Sequence, residues 1–152
     1  MPKFTVLVHV EEASRALDET LKSASLANDL LVISDAPDKP LKRMIRRAHG
    51  RTKTTIPGVS PGAYALDSYF DWILVLRPGE VLDDRTTDLL RNWKKQKQDD
   101  QPGHRVGIIR KDGSQFESLR LVNRLKINWT GELPPDSESA PLIGTSPNQH
   151  AA

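Results

Sequence analysis

Charged side chains stand directly behind the three most apolar runs of the sequence, and these are the residues that could do chemistry. Glu11 and Glu12 follow FTVLVHV (Phe4 to Val10), Asp35 follows DLLVIS (Asp29 to Ser34), and Arg77 and Glu80 follow WILVL (Trp72 to Leu76). Asp35 and Glu80 are carboxylates of the kind that work in pairs as general acid and base. Arg77 carries a planar guanidinium that can meet a phosphate through two parallel hydrogen bonds. His9, near the end of the first run, can stack on or bond a base. Each residue also has a plainer reading: solvated loop acids, an exposed turn arginine, a structural histidine.

The surrounding elements decide whether these residues can meet. The apolar runs read as buried strands, since they show little alternation. Between the first two, Ala13, Ala16, Leu17, Thr20, Leu21 and Ala24 recur at helical spacing, with Ser14 as the cap. Asp38 caps a second helix that has Pro40 in its first turn and Leu41, Met44, Ile45 and Ala48 on its apolar face. Gly50 is expected to end it. A weaker strand over 51–56, a loop at Pro57, Gly58, Pro61 and Gly62, and a short helix over 63–70 lead to WILVL. Arg77-Pro78-Gly79-Glu80 reads as a turn, and a helix follows over about 83–96 with Leu89, Leu90 and Trp93 inward. Two more strands, 105–110 and 119–122, flank a turn at Lys111-Asp112-Gly113. Alternation of strand and helix predicts an α/β domain with a mostly parallel sheet and helices on both faces. Such sheets bind ligands at the carboxyl ends of their strands, here the segments after Val10, Ser34, Ile56 and Leu76.

Composition narrows the classes. The chain has 152 residues, enough for one domain, with 37% hydrophobic and 28% charged residues, which argues against disorder. It has no cysteine, so thiolate chemistry and Cys-ligated zinc are excluded. No apolar run is long enough to span a bilayer, and the N-terminus does not read as a secretory signal, so a cytoplasmic location is the expectation. Net charge is only +2. Lys42, Arg43, Arg46, Arg47, His49, Arg51 and Lys53 form a basic cluster that could meet phosphates. Their place on the polar side of a helix reads first as a solvated face, and nucleic acid is not the expected partner. Trp72 and Trp129 could line a sugar site, although Trp72 reads as core. Residues 4–135 read as the domain and 136–152, rich in Ser and Pro, as a flexible tail.

DWILVLRPGEVL (Asp71 to Leu82) resembles the strand and turn D-W-I-L-x-L-D-A-D-E of family 2 glycosyltransferases. Other segments follow in the same order. TVLVHVEEASRALDETLKSA resembles that family's first strand, T-Y-N-E-E loop and first helix. DLLVISDAP resembles V-V-V-D-D-G-S, and YALDSYFDW resembles the A-A-L-x-x-A-x-G-D-W approach. RLVNR…WTGELPP resembles R-L-F-R-R…W-x-G-x-V-H-E. The resemblance spans about residues 4–135. It implies a GT-A, Rossmann-like three-layer sandwich and a nucleotide-diphosphate sugar as partner. The donor site it implies contains Val10, Glu11, Glu12, Asp35, Arg77 and Glu80.

The departures fall on the chemistry. The two aspartates of D-x-D correspond to Arg77 and Gly79, the late His-Glu to Pro134 and Pro135, and the Arg-Asn of A-R-N to Gly62 and Ala63. Divalent cations need hard oxygen ligands, and proline, glycine and arginine side chains supply none. No metal cofactor is therefore expected. Transfer would be impaired or metal-independent, and the alternative is a non-catalytic binding or interaction module on the same scaffold.

Overall fold

The computed structural model describes residues 1–144. The element order is β1 (Phe4–His9), α1 (Arg15–Ser23), β2 (Asp29–Ser34), α2 (Lys39–Arg47), β3 (Arg51–Thr54), a 3-10 segment (Pro61–Asp67), β4 (Trp72–Leu76), β5 (Val81–Leu82), α3 (Asp84–Trp93), β6 (Gly103–Ile109) and β7 (Gln115–Asn123). The strands form one 7-stranded sheet in the order β3-β2-β1-β4-β7-β6-β5. β1 to β4 run parallel, and β7, β6 and β5 extend the sheet antiparallel beyond β4. The expected α/β class, with a parallel core, is what the chain adopts.

The helices start where side chains can satisfy their free amides. Ser14, Asp38 and Asp83 accept hydrogen bonds from the backbone N–H groups of Leu17, Leu41 and Thr86. All three α-helices cover the same face. Leu17 and Leu21 of α1, Leu41 and Ile45 of α2, and Leu90 and Trp93 of α3 share a core with Phe4, Val6, Val8, Leu74 and Leu76. On the other face, Leu7, Leu31, Ile33, Ile73 and Val75 lie under Tyr64 and Ala65 of the 3-10 segment and under Trp129. The helical layer there is thus a 3-10 turn joined by irregular chain, where a regular helix was expected over 63–70.

The end of α2 differs from expectation. The residue in the left-handed region is His49, at φ 60, not Gly50. Gly50 donates to the Ile45 carbonyl at 2.9 Å. Its lack of a side chain answers a different need: a Cβ there would lie 2.8 Å from Leu30 Cδ2. The packed chain also continues past residue 135. Asp136 accepts from the Leu119 amide, Ile143 donates to the Arg105 carbonyl, and Ile143 is fully buried. Residues 145–152, the rest of the segment read as a tail, lie outside the described residues. No helix among the described residues is long and apolar enough to cross a membrane.

The amino edge of the sheet is tied by charge. Asp29, at the start of β2, accepts from Arg51 at 2.8 and 2.9 Å, from the Thr5 hydroxyl at 2.7 Å and from the Tyr69 amide at 3.1 Å. Burial alone would push the Asp29 carboxyl up, but these hydrogen bonds outweigh it and hold it below the ordinary carboxylate value. Asp99 behaves alike. Burial raises it, while His104, Trp93 Nε1 and the Gln101 amide together bring it below its ordinary value. His104 in turn stacks on Trp72 at 5.7 Å, and Trp72 meets Trp93 edge-on at 5.2 Å.

Because both carboxyl groups titrate below their unfolded values, their contribution is complete above about pH 4 and is lost as pH falls through the lower native values. Urea unfolding followed over that acid range is expected to show a falling midpoint. The fall should be shallower in Asp99→Asn, and an identical profile in the variant would contradict the assignment.

Candidate functional site

The order of the strands marks one place on the carboxyl edge. From β1 the chain winds outward through β2 to β3, then returns to place β4 on the opposite side of β1. Successive connections therefore diverge between β1 and β4, and the carboxyl ends of the strands at such a switch point are where open α/β sheets hold a ligand crevice. Val8 is level with Leu76 in the register, so His9 stands beside Arg77 at this switch point. Both residues fall on the same side of the sheet as Leu7 and Val75, the side crossed by the chain after β7.

That chain places Glu132 over the crevice. One carboxylate oxygen lies 3.6 Å from an Arg77 guanidinium nitrogen and the other 3.9 Å from His9 Nδ1. The contacts are long, and all three side chains are partly open to solvent, at 52% for Arg77, 32% for His9 and 39% for Glu132. Two groups able to carry positive charge, one from each central strand, thus face a single internal anion. An ion pair of this length and exposure is worth little, so it can open at small cost.

The turn carrying Arg77 is bonded to the elements on both sides of it. Pro78 and Gly79 occupy its centre, Gly79 has φ +93, and the Glu80 amide donates to the Arg77 carbonyl at 3.0 Å. This is the sequence and conformation of a type II turn, which favours glycine at its third position. The Gly79 amide donates to Thr20 Oγ1 of α1 at 2.9 Å. Glu80 is folded underneath. It is 7% exposed, and its carboxylate accepts from Arg120 at 2.7 and 3.0 Å and from the Arg77 amide at 2.7 Å. Arg120 also reaches the Val75 carbonyl at 3.2 Å.

The residues singled out in the sequence therefore separate. Arg77 and His9 come together. Glu11, Glu12 and Asp35 are exposed along the same edge. Val10 is 1% exposed, its side chain is in the core, and its amide is bonded to the Ile33 carbonyl. Glu80 faces Arg120, not the crevice, so it does not pair with Asp35. Trp72 is core. Trp129 packs on Gly62, where a Cβ would lie 2.6 Å from the indole, so no arginine fits at that position. A cavity of about 150 Å³ beside Trp129, lined also by Ala65, Leu66 and Arg124, is separate from the crevice.

Glu132 and Arg120 escaped the sequence reading. Both lie in segments compared with the glycosyltransferase pattern, RLVNR and WTGELPP. An arginine inside an otherwise apolar strand was the available signal for a buried partner. Nothing local in the sequence linked Glu132 to residues so far away.

No family model matches the chain, and no curated protein matches it. Among solved structures, it aligns with 4-diphosphocytidyl-2C-methyl-D-erythritol synthase at 12% identity and a TM-score of 0.54, over 99% of this chain and 97% of that one. The two share a fold. Staphylococcus aureus TarS aligns at 14% identity and a TM-score of 0.47, over 60% of this chain and 19% of TarS, or 32% of its 1–349 fragment. The chain therefore spans at most about a third of the TarS structures it matches. The likeness to the synthase is one of architecture alone.

Glu80→Ala leaves the Arg120 charge buried without its partner, so a loss of about 3–5 kcal/mol in unfolding free energy is expected. Replacing both residues together, as Glu80→Leu with Arg120→Met, should recover most of it. Chemical denaturation of the three variants measures this, and a neutral Glu80→Ala would contradict the structural role.

Proposed function

We propose that this chain is a nucleotide-diphospho-sugar transferase-like domain that binds a nucleoside diphosphate group at the β1–β4 switch point without a divalent metal. The observation that carries the reading is the convergence of His9 and Arg77 on the Glu132 carboxylate. A place where two such groups already face one carboxylate is suited to an anion. A diphosphate presents more acceptor oxygens and more charge than the carboxylate does, and it can displace it. The synthase that shares the fold is named for a diphosphocytidyl compound, a nucleoside diphosphate derivative, and this agrees with the reading.

Metal-free binding is supported by the turn itself. Both Glu80 oxygens are taken by Arg120, Gly79 has no side chain, and Arg77 adds a positive charge where a cation would have to sit. The guanidinium would face the diphosphate in the metal's place. Glu11, Glu12 and Asp35, exposed beside the crevice, are available to accept hydrogen bonds from ribose or base hydroxyl and amine groups. With no free carboxylate on the turn, metal-assisted sugar transfer is not supported, and the proposed activity is binding with impaired transfer.

Calorimetric titration with uridine diphosphate, with and without Mn²⁺, tests this. Binding is expected to be unchanged by Mn²⁺. Loss of charge-assisted hydrogen bonds in Arg77→Ala should weaken it by roughly 10- to 100-fold. Glu132→Gln, which removes the internal competitor, should tighten it. Equal affinity in wild type and Arg77→Ala would remove Arg77 from the site. Absence of binding in all three proteins would contradict the nucleotide reading.

A further inference from the structure

The short strand β5 sets a register that carries past its own ends. Val81 is level with Ile109 and Leu82 with Ile108, antiparallel. Continued by two residues, this register brings Gly79 of the turn opposite Lys111 at the tip of the β6–β7 hairpin. The tip is closed by the Arg110 amide on the Ser114 carbonyl at 2.9 Å and by the Gly113 amide on the Arg110 carbonyl at 2.9 Å. The contact across it is close. A Cβ at Gly79 would lie 2.9, 3.2 and 3.3 Å from Cγ, Cδ and Cε of Lys111. The Lys111 stem thus fills the space that a side chain at position 79 would take. Its ammonium stands one bond beyond Cε, exposed, with no ion-pair or hydrogen-bond partner among the described residues. The carboxylates nearest to it along the chain and the turn are engaged elsewhere: Asp112 accepts from the Ser114 amide at 2.8 Å, and Glu80 accepts from Arg120. Position 79 corresponds to the second acid of D-x-D, so a cation's stem stands where the resemblance would put an anion.

We propose that Lys111 holds the distal phosphoryl group of a nucleoside diphosphate and makes the site select a diphosphate over a monophosphate. This rests on the nucleotide reading of the β1–β4 switch point. Along the carboxyl edge the groups follow the order of their strands. Asp35 stands behind β2, His9 at the end of β1, Arg77 behind β4, and Lys111 reaches the turn from the hairpin beyond β4. A nucleoside held at the Asp35 end presents its first phosphoryl group to His9 and Arg77, and its second to Lys111. An ammonium is a compact point charge whose donors follow a terminal group without demanding the planar fork of a guanidinium. The flexible stem is the usual cost of using lysine. Here Gly79 carries that stem, so less freedom is lost when the phosphate binds.

Calorimetric titration of uridine diphosphate and uridine monophosphate into wild type, Lys111→Met and Arg77→Ala tests the proposal. Lys111→Met keeps the methylenes over Gly79 and removes only the charge, so its urea midpoint should match wild type. It is expected to weaken the diphosphate by about 10-fold or more and to leave the monophosphate unchanged, which narrows the preference between them. Lys111→Arg should retain that preference. Arg77→Ala should weaken both nucleotides. Lys126→Met removes the same charge beyond the amino end of β4, where Asn123 is level with Trp72, and should change neither affinity. The role of Lys111 is overturned if Lys111→Met binds the diphosphate as wild type does, or if it loses both nucleotides equally. If Arg77→Ala is weakened while Lys111→Met is not, the Lys111 assignment fails and the nucleotide reading stands. If wild type binds neither nucleotide, both fail.

Discussion

The buried pair of Glu80 and Arg120 joins the two halves of the sheet. Arg120 belongs to β7, the first strand of the antiparallel half, and Glu80 closes the turn after β4, the last strand of the parallel half. The same carboxylate holds the Arg77 amide, and the same guanidinium holds the Val75 carbonyl. Desolvating two charges gives such a pair little net stability against a well-packed apolar substitute. What it supplies is position. Glu80, bonded to Arg120 from below, holds the Arg77 amide, and Arg77 stands at the carboxyl edge next to His9.

The two edges of the sheet then differ in how their charges are used. At the amino edge, Asp29 and Arg51 meet at 2.8 Å with further donors from Thr5 and Tyr69, and Arg124 reaches Asp71 at 3.1 Å. These groups are saturated by one another. At the carboxyl edge, Glu132 is 3.6 and 3.9 Å from its partners, and Glu11, Glu12 and Asp35 face solvent. Beneath the turn at the carboxyl edge Glu80 and Arg120 are tightly paired, and only the outer layer there, Glu132 with Arg77 and His9, is paired loosely enough to exchange partners with a ligand. For the anion site proposed there, preorganisation would help, since Arg77 and His9 are already in place and the internal carboxylate is weakly held.

Much of the architecture was legible in the sequence because it depends on local pattern. Apolar runs located β1, β2 and β4, and Ser14 and Asp38 located the starts of α1 and α2, each within the reach of a few residues. β5 was not legible. It has only Val81 and Leu82, and it exists because β6 offers a free edge. His49 took the left-handed position that Gly50 was expected to fill, because Leu30 and Ile45 decide Gly50 by contact, not by backbone conformation. The site was half legible. Arg77 could be read from its place after WILVL, while Glu80 looked identical in the sequence and is buried. What separates them is Arg120, 40 residues further on. Glu132 likewise acquires meaning only when the chain after β7 crosses the sheet.

The proposed anion site at the β1–β4 switch point is held by His9 and Arg77 and covered by Glu132. Backbone amide resonances followed by NMR while inorganic pyrophosphate is added test it most directly, since that probe carries neither sugar nor base. Saturable shifts at Val10, Arg77 and Glu132, with Asp29 and Tyr69 at the amino edge unmoved, are the predicted result. Shifts confined to α2, or none at the switch point, would rule out an anion site between β1 and β4.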